Sequence, residues 1–232
     1  MADVAETASS KSTLMDTLAW VGPFAVFMIV LAVLPKLAPT SRLTLAAWIV
    51  IVAAAILLLS RDVLEFRPAR PWASIGVGVA VFAVWVAPDL LIPGWRSSIL
   101  FQNSLTGKLA SSVGADALGD PVALALRTLR AVLIVPIVEE LFWRGWLMRW
   151  IERPDFQSVP LGHYQRRSFW LVAVLFAMEH GPYWDVGFLA GAGYNWWMVR
   201  TGRLSDLILA HAVTNACLCA FVIATGRWEY WL

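Results

Sequence analysis

Apolar runs long enough to cross a bilayer constrain this chain more than any other feature. About 30 Å of hydrocarbon needs about 20 residues of helix, and such windows recur along the sequence. They lie at about Leu18–Leu37, Leu43–Ser60, Trp72–Ile92, Val122–Ile151, from Ser168 to the His-Gly-Pro at 180–182, Trp184–Val199 and Leu204–Ala224. The fourth is too long for one straight crossing, and its end, "RGWLMRWIERP", suits the interface. Between the third and fourth, residues 93–120 are mixed and rich in Gly and Ser. The chain is 59% hydrophobic and 15% charged, against about 45–50% and 25% for a soluble domain. The expectation is an all-α, polytopic membrane bundle of about seven transmembrane helices, or eight if the 93–120 stretch dips into the membrane.

The polar segment "MADVAETASSKSTLMD" lacks the basic start of a cleaved signal peptide. It reads as a disordered tail over 1–17, followed by one integral-membrane domain over 18–232. A net charge of +2 without a basic stripe excludes nucleic acid as a partner. The fourteen tryptophans suit a membrane protein, since indole rings favour the interface. Cys217 and Cys219 are two positions apart on a helix, so they point about 200° apart and read as small apolar residues. Ten Lys and Arg fall on the side of the N-terminus, including Arg61, Arg67, Arg70, Arg166 and Arg167, against five on the other. That imbalance predicts a cytoplasmic N-terminus.

Against this background "VEELFWRGW", residues 138–146, is costly. A charged side chain near mid-bilayer costs about 2.5–3.5 kcal/mol on insertion scales. Glu140 and Arg144 are spaced i, i+4 with the acid first, the favourable order for an ion pair within a helix. Glu139 is rotated about 100° away and has Trp143 at its own i+4, so no cation of its helix holds it. The spacing divides the labour: Glu140 is neutralised by Arg144, and Glu139 faces something else. "FAMEH" puts Phe176 and His180 on one face of the fifth span, and "HAVTN" puts His211 and Asn215 on one face of the seventh. A lone buried histidine is more often structural, but ionisable groups on three spans usually face a bundle interior or a wet cavity. His163 lies in a polar loop and reads as a solvated surface residue. Gly187 and Gly191 form a G-x-x-x-G pair, with Gly193 a third small position, which lets a neighbouring helix approach closely.

In this order, E-E-x-x-x-R (Glu139, Glu140, Arg144), F-x-x-x-H (Phe176, His180) and H-x-x-x-N (His211, Asn215) resemble the CAAX prenyl protease and bacteriocin-processing (CPBP, or Abi) family of glutamate-dependent intramembrane endopeptidases. The resemblance covers about 122–220. It implies that Glu139 and His180 activate water and that His211 and Asn215 form an oxyanion site, with Glu140, Arg144 and Phe176 in support. No serine or cysteine stands next to a base, so direct attack by water is the simpler chemistry. A zinc site on Glu139, His180 and His211 is the alternative, although no H-E-x-x-H helix is present. The expected substrate is a peptide or lipid-anchored protein of the membrane. The tryptophan-rich character resembles a bacterial subgroup of the family linked with surface-protein sorting, which implies a bacterial inner membrane. A non-catalytic maturation partner or a transporter using the same charges structurally is the competing class, though the internal repeat common in transporters is missing.

Overall fold

In a computed structural model, residues 2–37, 41–110 and 118–231 are described. They form an all-α bundle of seven helices. These are α1 (Ala2–Leu37), α2 (Arg42–Ala55), α3 (Pro71–Leu91), α4 (Pro121–Trp150), α5 (Arg166–Glu179), α6 (Trp184–Thr201) and α7 (Leu204–Thr225). α2 ends in a wider π-type turn at Ile56–Ser60, and α4 contains two more, at Arg130–Ile134 and Leu141–Leu147. The helix boundaries follow local chemistry. Ser41 and Thr44 cap each other at the start of α2, and Asp120 followed by Pro121 opens α4. Gly202 and Gly226 end α6 and α7 with positive φ, a conformation glycine adopts without a Cβ penalty.

Consecutive helices alternate in direction between two ends, which leaves α3 and α7 parallel. At one end Ser60 Oγ donates to the Ala19 carbonyl, and the backbone N–H groups of Ala69 and Arg70 donate to Asp206 at 3.1 and 2.7 Å. The loop before α5 meets the end of α6 here, where Gly162 packs so close to Met198 and Gly202 that no side chain fits. At the other end the buried Arg96 pairs with Asp89 and Asp185, and Tyr230 donates to Asp89. Close backbone approach sets the crossings between. A Cβ on Gly78 would lie 2.4 Å from the Ala210 carbonyl, which brings α3 onto α7. Gly187 and Gly191 lie against Ala177, Ala173 and Phe176, which brings α6 onto α5, as their spacing suggests.

Among the described residues, five stretches are long and apolar enough to cross a membrane: Met15–Leu34 within α1, Arg42–Ser60, α3, α4 and α7. This corrects the expected seven or eight. α5 has 14 residues, about 21 Å of helix, and carries Arg166, Arg167 and Glu179. α6 has 18 residues but includes Asp185, Asn195 and Arg200. The described part of 93–120 holds turns, one short 3-10 turn at Trp95–Ser97 and an isolated bridge between Asn103 and Gly107, but no membrane-spanning helix; residues 111–117 lie outside the described residues. α1 extends back through the segment read as a tail, which contains neither Gly nor Pro to stop it. Some tryptophans, such as Trp72, Trp150 and Trp184, are exposed at helix ends, but others are not interfacial. Trp20, Trp48, Trp85 and Trp143 are core residues, packed against Phe156, Phe27, Tyr183 and Phe176 respectively.

Candidate active site

The sequence brings Glu139 and Glu140 to the middle of α4, just before the π-type turn at Leu141–Leu147. Gly145 within that turn lets Trp20 of α1 lie on the helix backbone. Glu140 is fully buried. Both of its oxygens accept from Arg144 Nη1 at 3.1 Å, and Oε1 lies 2.7 Å from His211 Nδ1. Arg144 is anchored further by donating to Asn195 Oδ1 at 2.7 Å and to the Gly191 carbonyl at 3.2 Å, and it lies over the ring of Phe176. Asn195 in turn donates to the Phe169 carbonyl at 2.7 Å, tying the guanidinium to α5 and α6 together.

Glu139 is in a different situation. It is 6% exposed, and its Oε2 is buried without a hydrogen-bond partner. That atom lies 4.0 Å from His211 Nε2. Orphaned buried carboxylate oxygens are uncommon and call for an explanation. Here the explanation is a cavity of about 350 Å³ lined by Glu139, His180, His211 and Asn215, together with Tyr194 and Phe176. α1 contributes Phe27, Met28 and Leu31 to its wall, and Met28 and Leu31 are also exposed on the outside of the bundle.

Hydrogen bonds fix the imidazoles. His180 Nδ1 lies 2.7 Å from the Phe176 carbonyl. A carbonyl only accepts, so Nδ1 carries the proton, and in the neutral ring Nε2 is left with a lone pair. His211 turns Nδ1 to Glu140 and Nε2 toward Glu139, and its ring stacks on Tyr194 at 4.9 Å. Tyr194 is held by donating to Thr214 Oγ1 at 2.8 Å. Asn215 Nδ2 donates to the Ala131 carbonyl at 2.8 Å, a group in the first π-type turn of α4; the amide's second hydrogen is left for another acceptor.

Over residues 121–217 the sequence matches the family model for type II CAAX prenyl endopeptidase Rce1-like proteins. This segment resembles the Rce1-like family. It includes every motif residue singled out from sequence, and it supports protease-like, enzymatic character at the level of the family. Among curated proteins and solved structures, none matches the chain.

The structure therefore brings all seven residues of the three sequence motifs to one cavity or to its immediate backing. Glu139, Phe176, His180, His211 and Asn215 line it, with Glu140 and Arg144 behind. Among the described residues, no three of His, Cys, Asp and Glu are grouped to hold a metal ion. The alternative zinc ligands Glu139, His180 and His211 are thus not arranged as a ligating set. Of three further contributors, one escaped the sequence and two were legible without their role. Glu179 lines the cavity and accepts from Trp143 Nε1 at 3.2 Å, yet it was visible only as one letter of "FAMEH". Asn195 and Tyr194 were legible as polar residues of α6, but nothing in the sequence told a groove from a helix contact. His163 pairs with Glu152 at 3.5 Å in an exposed loop, away from the site.

Proposed function

We propose that the chain is an intramembrane endopeptidase that hydrolyses a peptide bond of a membrane-associated or lipid-anchored protein. The orphaned Oε2 of Glu139, facing a cavity that His180, His211 and Asn215 also line, carries this reading. A water held between Glu139 and His180 Nε2 loses a proton as its oxygen attacks the scissile carbonyl. The tetrahedral oxyanion accepts from the free Asn215 amide hydrogen and from His211 Nε2–H, with one such donor worth about 2.7–4 kcal/mol. Glu140 stabilises the imidazolium that this second donation requires. The abstracted proton then passes to the leaving amine as the C–N bond breaks.

Because α1 residues of the cavity wall also face outward, lateral entry of the substrate past Met28 and Leu31 fits the geometry. α5 and α6 run between the same two ends as the longer helices and expose apolar side chains such as Val174, Met178 and Leu189, which fits a short pair lying in the bilayer beside the five longer stretches. The lysine and arginine distribution favours a cytoplasmic N-terminus, and the membrane we propose is a bacterial inner membrane.

The test is the set of protein termini in membranes with the wild-type chain, without it, and with Glu139→Ala, His180→Ala or His211→Ala. Missing cleavage products with normal protein levels support the peptidase. Unchanged termini in all strains, or products that persist in the Glu139→Ala strain, overturn it in favour of a non-catalytic maturation factor or transporter.

A further inference from the structure

Arg130 stands apart from the buried arginines of the bundle. Arg144, Arg96 and Arg149 each donate to carboxylate, amide or carbonyl oxygens. Arg130 lies in the first π-type turn of α4, between apolar neighbours, and lines the same cavity as Glu139. Its guanidinium rests over the ring of Trp48 at 4.9 Å. Among the described residues no carboxylate and no hydrogen-bond acceptor meets it. A guanidinium has five N–H donors and stays charged, and a ring face satisfies little of that demand. Arg127, one turn earlier, lines the cavity too, with Nη2 donating to the Trp231 carbonyl at 3.3 Å. The cavity thus has a cationic end at Arg127 and Arg130 and an acidic end at Glu139 and Glu179.

We infer that Arg130, with Arg127 beside it, is a carboxylate-binding subsite that anchors an acidic group of the peptide substrate. Nine residues of α4 separate Arg130 from Glu139, about 13 Å of helix. An extended peptide covers that distance in about four residues. A carboxylate seated on Arg130 therefore sets which peptide bond reaches Glu139. The site would select by position of charge, in a cavity otherwise lined largely by apolar and aromatic side chains. This inference rests on the peptidase reading, but its test does not require turnover.

The test uses the full chain in nanodiscs of uncharged phosphatidylcholine. Three fluorescently labelled apolar pentapeptides serve as probes: one with a free C-terminal carboxylate, its C-terminal amide, and the amide with one internal aspartate. At least one carboxylate peptide should bind wild-type protein tenfold or more tightly than the plain amide, and which one does so tells a chain terminus from an acidic side chain. The preference should fall to about onefold in Arg130→Gln, persist in part in Arg130→Lys, and be unchanged in Glu139→Gln. If wild type shows the preference but never cleaves any substrate, the subsite stands and the peptidase reading falls. Arg130→Gln should melt at or above the wild-type temperature, because it removes a charge without a partner. Equal binding of acid and amide by wild type, an undiminished preference in Arg130→Gln, or a clearly lowered melting temperature in that variant overturns the proposal. So does finding that phosphatidylglycerol in the nanodisc abolishes the preference, since a lipid phosphate then fills the site.

Discussion

The two adjacent glutamates should fail in different ways when each is replaced by glutamine. In Glu140→Gln the carboxylate that meets Arg144 Nη1 through both oxygens, and His211 through one, becomes a neutral amide. Removing one partner of a buried pair costs about 3–5 kcal/mol, because the other charge is left uncompensated. Arg144 keeps Asn195, the Gly191 carbonyl and the Phe176 ring, so the low end applies, about 3 kcal/mol. For a chain of this size 1 kcal/mol moves the midpoint by roughly 2–4 °C, so the expected loss is roughly 6–12 °C. Glu139→Gln removes a charge with no hydrogen-bonded partner at Oε2, and its midpoint should move by less than about 4 °C, or about 1 kcal/mol. Tryptophan-fluorescence melting of both variants in the same detergent measures the contrast. Removing both charges, in Glu140→Gln with Arg144→Met, should recover part of the loss, since replacing a whole buried pair by neutral groups is far less costly than breaking it. A Glu140→Gln midpoint within 2 °C of wild type, or a Glu139→Gln loss as large as that of Glu140→Gln, refutes the division of labour.

Other expectations follow from single contacts. Gly145→Ala puts a Cβ 2.5 Å from Trp20 Cε3 and should destabilise by about 1–3 kcal/mol; the cost should shrink in a Trp20→Leu background, measured by the same melts. Asp206→Ala strips the acceptor from Ala69, Arg70 and Ser74, which should cost at least about 1–3 kcal/mol and raise proteolysis in the 61–70 loop. Asn195→Leu releases Arg144 and the Phe169 carbonyl and should lower stability by about 2 kcal/mol while leaving membrane insertion intact, as read by carbonate extraction. A single cysteine at Glu65, with Cys217 and Cys219 replaced by alanine, should react with impermeant maleimide only from the cytoplasmic side; labelling from outside alone reverses the assigned orientation.

Much of the site was legible because its residues obey helical spacing. The i, i+4 pairing of Glu140 with Arg144, and its absence for Glu139, are one-dimensional facts that the fold preserves. That three motifs on separate helices share a cavity followed from the cost of charge in lipid. What spacing does not reveal is which partner a side chain finds across helices. Arg144 reaches Asn195 of α6, and His211 turns Nδ1 to Glu140, contacts that depend on crossing geometry set by Gly78, Gly187 and Gly191. The π-type turns of α4 leave no mark in an apolar run, yet they free the Ala131 carbonyl that holds Asn215. Hydropathy also overstates the number of independent crossings, since α5 and α6 keep polar residues that pay their way only inside the bundle, as Asn195 does.

The Glu140–Arg144 pair is contained within a single helix, and this bears on how the protein is made. The lateral gate of a translocation channel receives helices in sequence order, and α4 arrives before α6 and α7 exist. Its two most deeply buried charges compensate each other without Asn195 or His211, so this pair, though not the whole of α4, enters lipid with no net charge. Later helices then add hydrogen bonds to a pair already formed. Moving the arginine to a neighbouring helix would preserve the finished contact but leave each segment to enter the bilayer with an exposed charge, at about 2.5–3.5 kcal/mol apiece. Biogenesis, as well as the final packing, therefore favours keeping this acid and base four residues apart.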